Sequence, residues 1–260
     1  MKPAGSIDDR KFGKRIAEEK FSFLRKVFLT EYADFLKENK DASAFFEYVE
    51  ANETSQRAPH YYRYLATMMK ILKCHGMPRG LRIIETGDAS PLLLFLAAEN
   101  ECFTSESDLR IKLDAEDASA DIILSFEVLE HIKDVPEKRF DEVVLFQESG
   151  ARQYASEMHR SLKPGGSLFL TTPNVCAASI LIPYLKGEPP VVFRPHVREY
   201  SRTEITGLFG DYDVAHYESF NSFFLIGAPA NKHVDAIAQM GGDTADRGDD
   251  HFFHFKKALA

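Results

Sequence analysis

Proton-accepting side chains follow a short apolar run near the middle of this 260-residue chain. Glu127, Glu130 and His131 come soon after Ile122–Leu124, and a further histidine, His196, lies downstream. Carboxylates and imidazoles are the usual general acids and bases of enzymes, and histidine titrates near neutrality. The chain therefore offers candidate general bases, although each histidine could instead serve to pack or hydrogen-bond its own segment.

The apolar run predicts a buried strand that ends at these polar side chains. A short run such as Ile122–Leu124 behind Asp121 is typical of a parallel strand with both faces covered. Apolar residues then recur at helical spacing, so we expect a helix to follow. Ligands of open α/β sheets bind beyond the carboxyl ends of the strands. The side chains expected at this end are Ser125, Phe126, Glu127, Glu130 and His131.

Composition limits the class of protein. The chain is 44% hydrophobic, enough for a sizeable core, and its formal net charge of −8 disfavours nucleic acid as a main partner. Its three cysteines lack C-x-x-C spacing, and no apolar run reaches the roughly 18 residues that span a membrane. The polar N-terminus has no signal peptide, so we expect a cytoplasmic protein.

A second polar turn is expected after a first strand at Arg82–Glu85, and a helix at 92–98 should follow it. The turn reads Glu85-Thr86-Gly87-Asp88-Ala89-Ser90-Pro91. Glu101–Glu106 and Arg110–Leu113 are the expected second and third strands. Residues 107–113 leave no room for the usual helix between these two strands.

Three segments resemble class I S-adenosylmethionine-dependent methyltransferases. The stretch SFEVLEHIKD at Ser125–Asp134 is similar to that family's fourth strand, and LKPGGSLFLTTPN at Leu162–Asn174 is similar to its turn and fifth strand. The segment HVREYSRTEI at His196–Ile205 is common in methyltransferases of sugar and polysaccharide pathways. The resemblance implies a Rossmann-like, doubly wound α/β fold. Its sheet should be mostly parallel with an antiparallel last strand, preceded by an N-terminal helical extension.

The resemblance also implies S-adenosylmethionine as cofactor. The family's acidic-x-Gly-x-Gly-x-Gly turn matches at Glu85 and Gly87, whereas Ala89 and Pro91 replace the later glycines. Glu106 is the expected ribose contact, with a plain surface glutamate as the alternative. The expected cofactor contacts are Tyr62, Arg63, Glu85, Gly87, Asp88, Glu106, Asp114, Ala115, Ser125 and Phe126. For Tyr62 and Arg63, core packing and a solvated side chain are equal alternatives.

The leading hypothesis is a methyltransferase that acts on a hydroxyl of a sugar, a glycan or a related small polar acceptor. His196, His131 or Glu127 would serve as general base, and no metal site is expected. The alternative is a methyltransferase-like binding or scaffold module without cofactor, which Ala89 and Pro91 favour. A dehydrogenase is disfavoured because G-x-G-x-x-G is absent after the first strand.

The chain divides into three predicted parts. Residues 1–58 form a helical extension, 59–228 the methyltransferase-like domain, and 229–260 an acidic loop and tail. The extension would cover the main domain or form a homodimer. The closing strands of the sheet are expected at Tyr212–Glu218 and Phe223–Ala228.

Overall fold

The computed structural model describes residues 2–3, 17–52, 60–105, 107–134, 148–188, 195–223, 226–227 and 230–259. Its strands form a single sheet. They are β1 (Lys2–Pro3), β2 (Arg82–Thr86), β3 (Glu101–Ser105), β4 (Ala120–Phe126), β5 (Leu162–Pro173), β6 (Tyr212–Phe220) and β7 (Asp250–Lys257). Their order across the sheet is β1-β3-β2-β4-β5-β7-β6.

The four central strands of the sheet run parallel. Strand β2 pairs with β3 on one side and β4 on the other, and β4 pairs with β5. Strands β7 and β6 close one side in antiparallel pairing, and β1 is antiparallel to β3. The predicted Rossmann-like sheet with an antiparallel last strand is confirmed.

Helices cover both faces of the sheet. They are α1 (Glu18–Glu38), α2 (Lys40–Ala51), α3 (Tyr61–Cys74), α4 (Pro91–Leu96), α5 (Ser149–Ser161), α6 (Ala178–Leu185), α7 (Arg202–Leu208) and α8 (Ala230–Gln239). Polar caps fix two of their starts. Ser90 accepts a hydrogen bond from the amide of Leu93 before α4, and Ser201 forms a capping box with Glu204 before α7. Of the helices described, none is long and apolar enough to cross a membrane.

The N-terminal helices belong to the core of one face. Phe28 of α1 and Phe45 of α2 are fully buried in the same cluster as Met68 of α3 and Phe169 of β5. Helices α5 and α7 cover the opposite face, where Tyr154 is buried with other apolar side chains. Burial of these aromatic side chains ties α1 and α2 to the sheet, and a homodimer through them stays a prediction.

The predicted third strand is wrong. Instead of a strand, the residues around Arg110 form a turn in which the amides of Ile111 and Lys112 both donate to the carbonyl of Asp108. The guanidinium of Arg110 also binds the Asp108 carboxylate through two nitrogens. The amide of Leu113 donates to the carboxylate of Glu157 in α5 instead of to a neighbouring strand. Strand β3 therefore connects to β4 without a further strand or helix in residues 107–119.

The helix expected after β4 is only a short 3-10 turn, Leu129–His131. Glu127 stands in the left-handed region, with φ of 57°, and its amide donates to the carbonyl of Thr171 at 2.9 Å. An α-helix cannot begin through a residue in that conformation. The side chains that follow β4 are thus held against β5 rather than on a helix.

The second closing strand was also misplaced. The described residues of Phe223–Ala228 form a bend and a turn, whereas β7 supplies the strand between β5 and β6. Six consecutive side chains of β7, from Asp250 to Phe255, are buried. The segment expected to be a tail is therefore part of the sheet.

Candidate active site

The polar ends of β2, β4 and β5 meet at one edge of the sheet, because these strands run parallel. A buried hydroxyl network lies just inside this edge. The hydroxyl of Tyr154 is 2.5 Å from that of Thr86 and 2.9 Å from that of Ser125. Ser125 is fully buried by this network, so it supports the edge from inside. Phe126 is half-buried against the core shared with α1 and α2.

A hydrogen bond between Glu85 and Ser90 joins the two ends of the turn after β2. The amide of Ser90 donates to the carboxylate of Glu85 at 2.7 Å, and Glu85 is buried. Gly87 has φ of +87°, and a Cβ added there would meet only Val128, at 3.5 Å. Asp88 is exposed beside it. Glycine adopts this left-handed conformation without strain, as a turn that a ligand approaches closely requires.

Burial raises the pKa of Glu85 to about 8, although the hydrogen bonds from Ser90 oppose the shift. With a raised pKa, the folded state holds the Glu85 proton more tightly than the unfolded chain does. Protonation of Glu85 therefore stabilises the fold at low pH, and this stabilisation is lost as pH rises towards 8.

We therefore expect wild type to lose stability relative to Glu85→Gln between pH 5 and pH 8, by at most about 1.4 kcal/mol per pH unit. The amide of Gln keeps an acceptor for Ser90 but does not titrate. Urea unfolding of both proteins at the two pH values measures the difference. Equal pH dependence in the two proteins would mean that Glu85 keeps an ordinary pKa.

A buried ion pair links α3 to the end of β4. Arg63 Nη1 lies 2.8 Å from Glu127 Oε2, and both side chains are largely buried. The guanidinium also stacks over the ring of Phe223, 4.7 Å from its centroid. Arg63 is thus at the predicted edge but is engaged by Glu127. Tyr62 is directed to α1 instead, where its hydroxyl donates to Glu31.

Glu130, His131 and His196 come together and are termed here the acid–histidine cluster. Glu130 Oε1 is 3.8 Å from His131 Nε2 and 3.9 Å from His196 Nε2. The two imidazole rings meet edge to face, with centroids 4.9 Å apart. The sequence predicted both histidines as separate candidates for a base, and the structure brings them to one place.

Hydrogen bonds hold the outer side of each ring. His131 Nδ1 lies 3.2 Å from the carbonyl of Pro195, and His196 Nδ1 lies 3.0 Å from a carboxylate oxygen of Glu199. The amide of Val197 donates to the carbonyl of Glu130 at 2.8 Å, which ties the loop that carries His196 to the 3-10 turn. Pro195 and Glu199 were not predicted, since nothing in the sequence places them beside residue 131.

Burial controls the charge of the cluster. Glu130 is 1% exposed, and burial together with the neighbouring Glu127 charge raises its pKa well above the usual range. Burial lowers the pKa of His131. Thr172 donates to Glu130 Oε2 at 2.9 Å, while Glu130 Oε1 has no hydrogen-bond partner in the part of the chain that the structure describes.

Arg198 and Tyr200 anchor the loop rather than face a substrate. Arg198 pairs with Glu204 and Glu148, and its guanidinium lies over the buried ring of Tyr200. Asp250 of β7 is a further buried acid of this region that sequence reasoning missed. Its pKa is raised by burial first and by the Glu127 charge second, and Ser222 donates to it.

The expected ribose and adenine contacts lie past β3. Asp114 is exposed, and its amide is 3.2 Å from the hydroxyl oxygen of Ser107. Ala115 is buried in the core beneath α5. Glu106 lies outside the described residues.

A protein-family model described as a methyltransferase domain matches residues 24–215. No curated protein sequence matches the chain. Among solved structures, the [4+2]-cyclase SpnF is similar with 13% identity and a TM-score of 0.46, over 76% of this chain and 84% of its own.

Phosphoethanolamine N-methyltransferase 2 of Haemonchus contortus, in complex with S-adenosyl-L-methionine, is similar with 15% identity and a TM-score of 0.47. That match covers 87% of this chain and 60% of the other. A SAM-dependent methyltransferase from Archaeoglobus fulgidus has 11% identity and a TM-score of 0.45, over 75% and 94% of the two chains. At these scores the structural likenesses add nothing to the family match.

Proposed function

We propose a reaction for this chain, which belongs to the class I S-adenosylmethionine-dependent methyltransferase family: methyl transfer to a hydroxyl of a sugar or related small polar acceptor. The observation that carries the proposal is the acid–histidine cluster at the carboxyl end of β4. It places three proton-accepting atoms at the same edge of the sheet as the turn expected to hold the cofactor, since β2 and β4 are parallel neighbours. A hydroxyl acceptor must lose a proton during methylation, and this cluster offers places for it.

S-adenosylmethionine is the methyl donor of this enzyme family, and it supplies an electrophilic methyl group on a sulfonium. The residues that would hold it are those of the turn around Gly87 and Asp88, with Asp114 after β3. The left-handed backbone at Gly87 supports this assignment, because glycine lets a ligand approach the turn closely. Glu85 would act by closing the turn, since Ser90 already occupies its carboxylate.

The chain's own part in the reaction is positioning and proton transfer. The acceptor oxygen forms the new O–C bond while the C–S bond breaks and its electron pair stays on sulfur. The hydroxyl proton leaves towards the cluster, where Nε2 of His196 and of His131 and Oε1 of Glu130 are the available acceptors. The Arg63–Glu127 ion pair fixes the backbone at the end of β4, so that these groups keep their places.

Cofactor binding tests the first half of the proposal. We expect S-adenosylhomocysteine to bind wild type one-to-one in calorimetry and Gly87→Val to lose about tenfold or more in affinity. A β-branched side chain at φ of +87° strains the turn and fills the space at its backbone.

Gly241→Val is the matched control, because Gly241 has φ of +75° and no atom of the described residues lies within 4 Å of an added Cβ. It should carry similar backbone strain and keep wild-type affinity. If neither S-adenosylmethionine nor S-adenosylhomocysteine binds wild type at millimolar concentration, the domain is a binding module and the proposed reaction fails.

The acceptor is identified with a panel of monosaccharides, methyl glycosides and small amino alcohols in the presence of donor labelled in its methyl group. Transfer of label to oxygen is the expected outcome, established by mass spectrometry of the product. Transfer only to nitrogen would retain the methyltransferase activity and reject the hydroxyl acceptor.

A further inference from the structure

We propose that the acid–histidine cluster binds one divalent transition-metal ion through Glu130 Oε1, His131 Nε2 and His196 Nε2. These three atoms come from different side chains and lie within 4.8 Å of one another. The sequence predicted no metal site. The site itself is independent of methyl transfer, and only its role in catalysis rests on the proposed function.

The outer hydrogen bonds fix both imidazoles in the form that ligates a metal. A carbonyl oxygen can only accept, so His131 Nδ1 must carry a proton that it donates to Pro195. The carboxylate of Glu199 accepts in the same way from His196 Nδ1. In a neutral ring, the lone pair is then on Nε2. Metal-bound histidines characteristically donate their other nitrogen to a carbonyl or carboxylate in this manner.

The inner atoms of the cluster do not satisfy one another. Glu130 Oε1 is buried without a hydrogen-bond partner among the described residues, and the two Nε2 atoms at 3.8 and 3.9 Å are beyond hydrogen-bond range. Three electron-pair donors thus converge on one point. A cation at that point would remove the penalty of the buried Glu130 Oε1, which has no hydrogen-bond partner among the described residues.

The spacing of the donors suits a metal ion after small side-chain shifts. Two ligands of a tetrahedral ion with bonds of about 2.0–2.1 Å lie about 3.3 Å apart, roughly half an ångström closer than observed for Glu130 and each histidine. Glu130 Oε2 is held by Thr172, and the backbone of Glu130 is held by Val197. The carboxylate is therefore anchored, and the rings need only rotate slightly towards it.

The cluster leaves room for an exchangeable ligand. The side chain of His131 is 39% exposed, so the site is open to solvent on one side while Glu130 is buried on the other. Two imidazoles and one carboxylate with an open position suit zinc, iron(II), cobalt or manganese rather than calcium or magnesium. In the proposed reaction, the open position would take the acceptor hydroxyl, whose pKa a bound cation lowers.

Metal binding is measured on the full chain without donor or acceptor. Protein treated with a chelator and desalted is titrated with CoCl₂, which reports coordination by its visible d–d absorption, and with ZnCl₂, followed by elemental analysis. We expect one equivalent of either ion to bind wild type. His131→Ala and His196→Ala should each weaken binding by at least about 100-fold, and Glu199→Ala by about 10–100-fold through loss of its hold on His196.

His216→Ala is the matched control, because His216 also lies beside a carboxylate, 3.1 Å from Glu218, but on β6 away from the cluster. It should bind as wild type does. Circular dichroism verifies that each variant is folded, and the exposed His131 makes His131→Ala the safest of them. Failure of wild type to bind either ion, or equal binding by wild type and His131→Ala, overturns the proposal.

The result is separable from the proposed function. A chain that binds cobalt but not S-adenosylhomocysteine would keep the metal site and lose the methyltransferase reaction. A chain that binds S-adenosylhomocysteine but no metal would keep a methyltransferase whose histidines act as bases.

Discussion

His196→Ala should lower kcat by about 10²–10⁴-fold while it leaves the affinity for S-adenosylhomocysteine within about twofold of wild type. His196 lies against Glu130 and Glu199, whereas the Gly87 turn is expected to hold the cofactor. Its loss therefore removes a group needed by the acceptor and not by the donor. Steady-state kinetics with the acceptor found in the panel, together with calorimetry, measures the two quantities separately.

Substitutions of the other two members of the cluster show whether the three groups act together in catalysis. If the three groups act as one unit, His131→Ala and Glu130→Gln should lose turnover on the same scale, and the double variant of both histidines should be no slower than either single variant. Slow turnover in His196→Ala alone would make His196 the general base and His131 a packing residue. Less than a tenfold loss in every variant would leave catalysis to proximity alone.

The parallel core of the fold was predictable because its signals are local. Ile122–Leu124 is an apolar run that only a covered strand accommodates, and Gly165-Gly166 follows it with a turn signal. The structure places β4 at the first signal. At the second, β5 already begins at Leu162 and runs through the two glycines, where its register against β4 shifts. Both signals depend on neighbouring residues along the chain, and so they can be read without knowledge of the tertiary structure.

The errors arise where distant residues decide the local conformation. The motif after β4 has helical periodicity, but the amide of Glu127 bonds to Thr171 of β5 and the helix is lost. Strand β7 follows an acidic, glycine-rich segment, and its position between β5 and β6 is set by pairing with both. Neither outcome is encoded in a short window of sequence.

In the candidate site, too, residues close in sequence were predictable and contacts between distant segments were not. Glu127, Glu130 and His131 were found together because the motif is contiguous. The approach of His196 depends on the loop that Val197 ties to Glu130, and so their common location needed the structure. Tyr62, by contrast, was predicted to contact the cofactor, but its hydroxyl donates a hydrogen bond to Glu31 of α1. The N-terminal helical extension packs against it, which its own sequence segment does not indicate.

Phe253→Ala should lower the free energy of unfolding by about 3–5 kcal/mol, the range for deletion of a fully buried aromatic ring. Phe253 lies in β7 with no exposed surface, opposite Leu170 of β5 and Tyr217 of β6. Its ring stacks on that of Phe255 with centroids 4.9 Å apart and contacts the ring of Tyr217 at 4.6 Å. Because β5 also carries Thr171 and Thr172, loss of this packing should loosen the site as well as the fold. Equilibrium unfolding in guanidinium chloride measures the change.

Lys256→Ala is the control on the same strand, because Lys256 is exposed and its replacement should alter stability by no more than about 0.5 kcal/mol. The pair of variants separates a strand that is built into the core from one that merely rests on the sheet. A loss of less than about 1 kcal/mol in Phe253→Ala, similar to Lys256→Ala, would mean that the last strand detaches at little cost, as expected of a tail. A loss in the full range would show that the C-terminal segment holds β5 and β6 together, and with them the carboxyl edge on which the acid–histidine cluster stands.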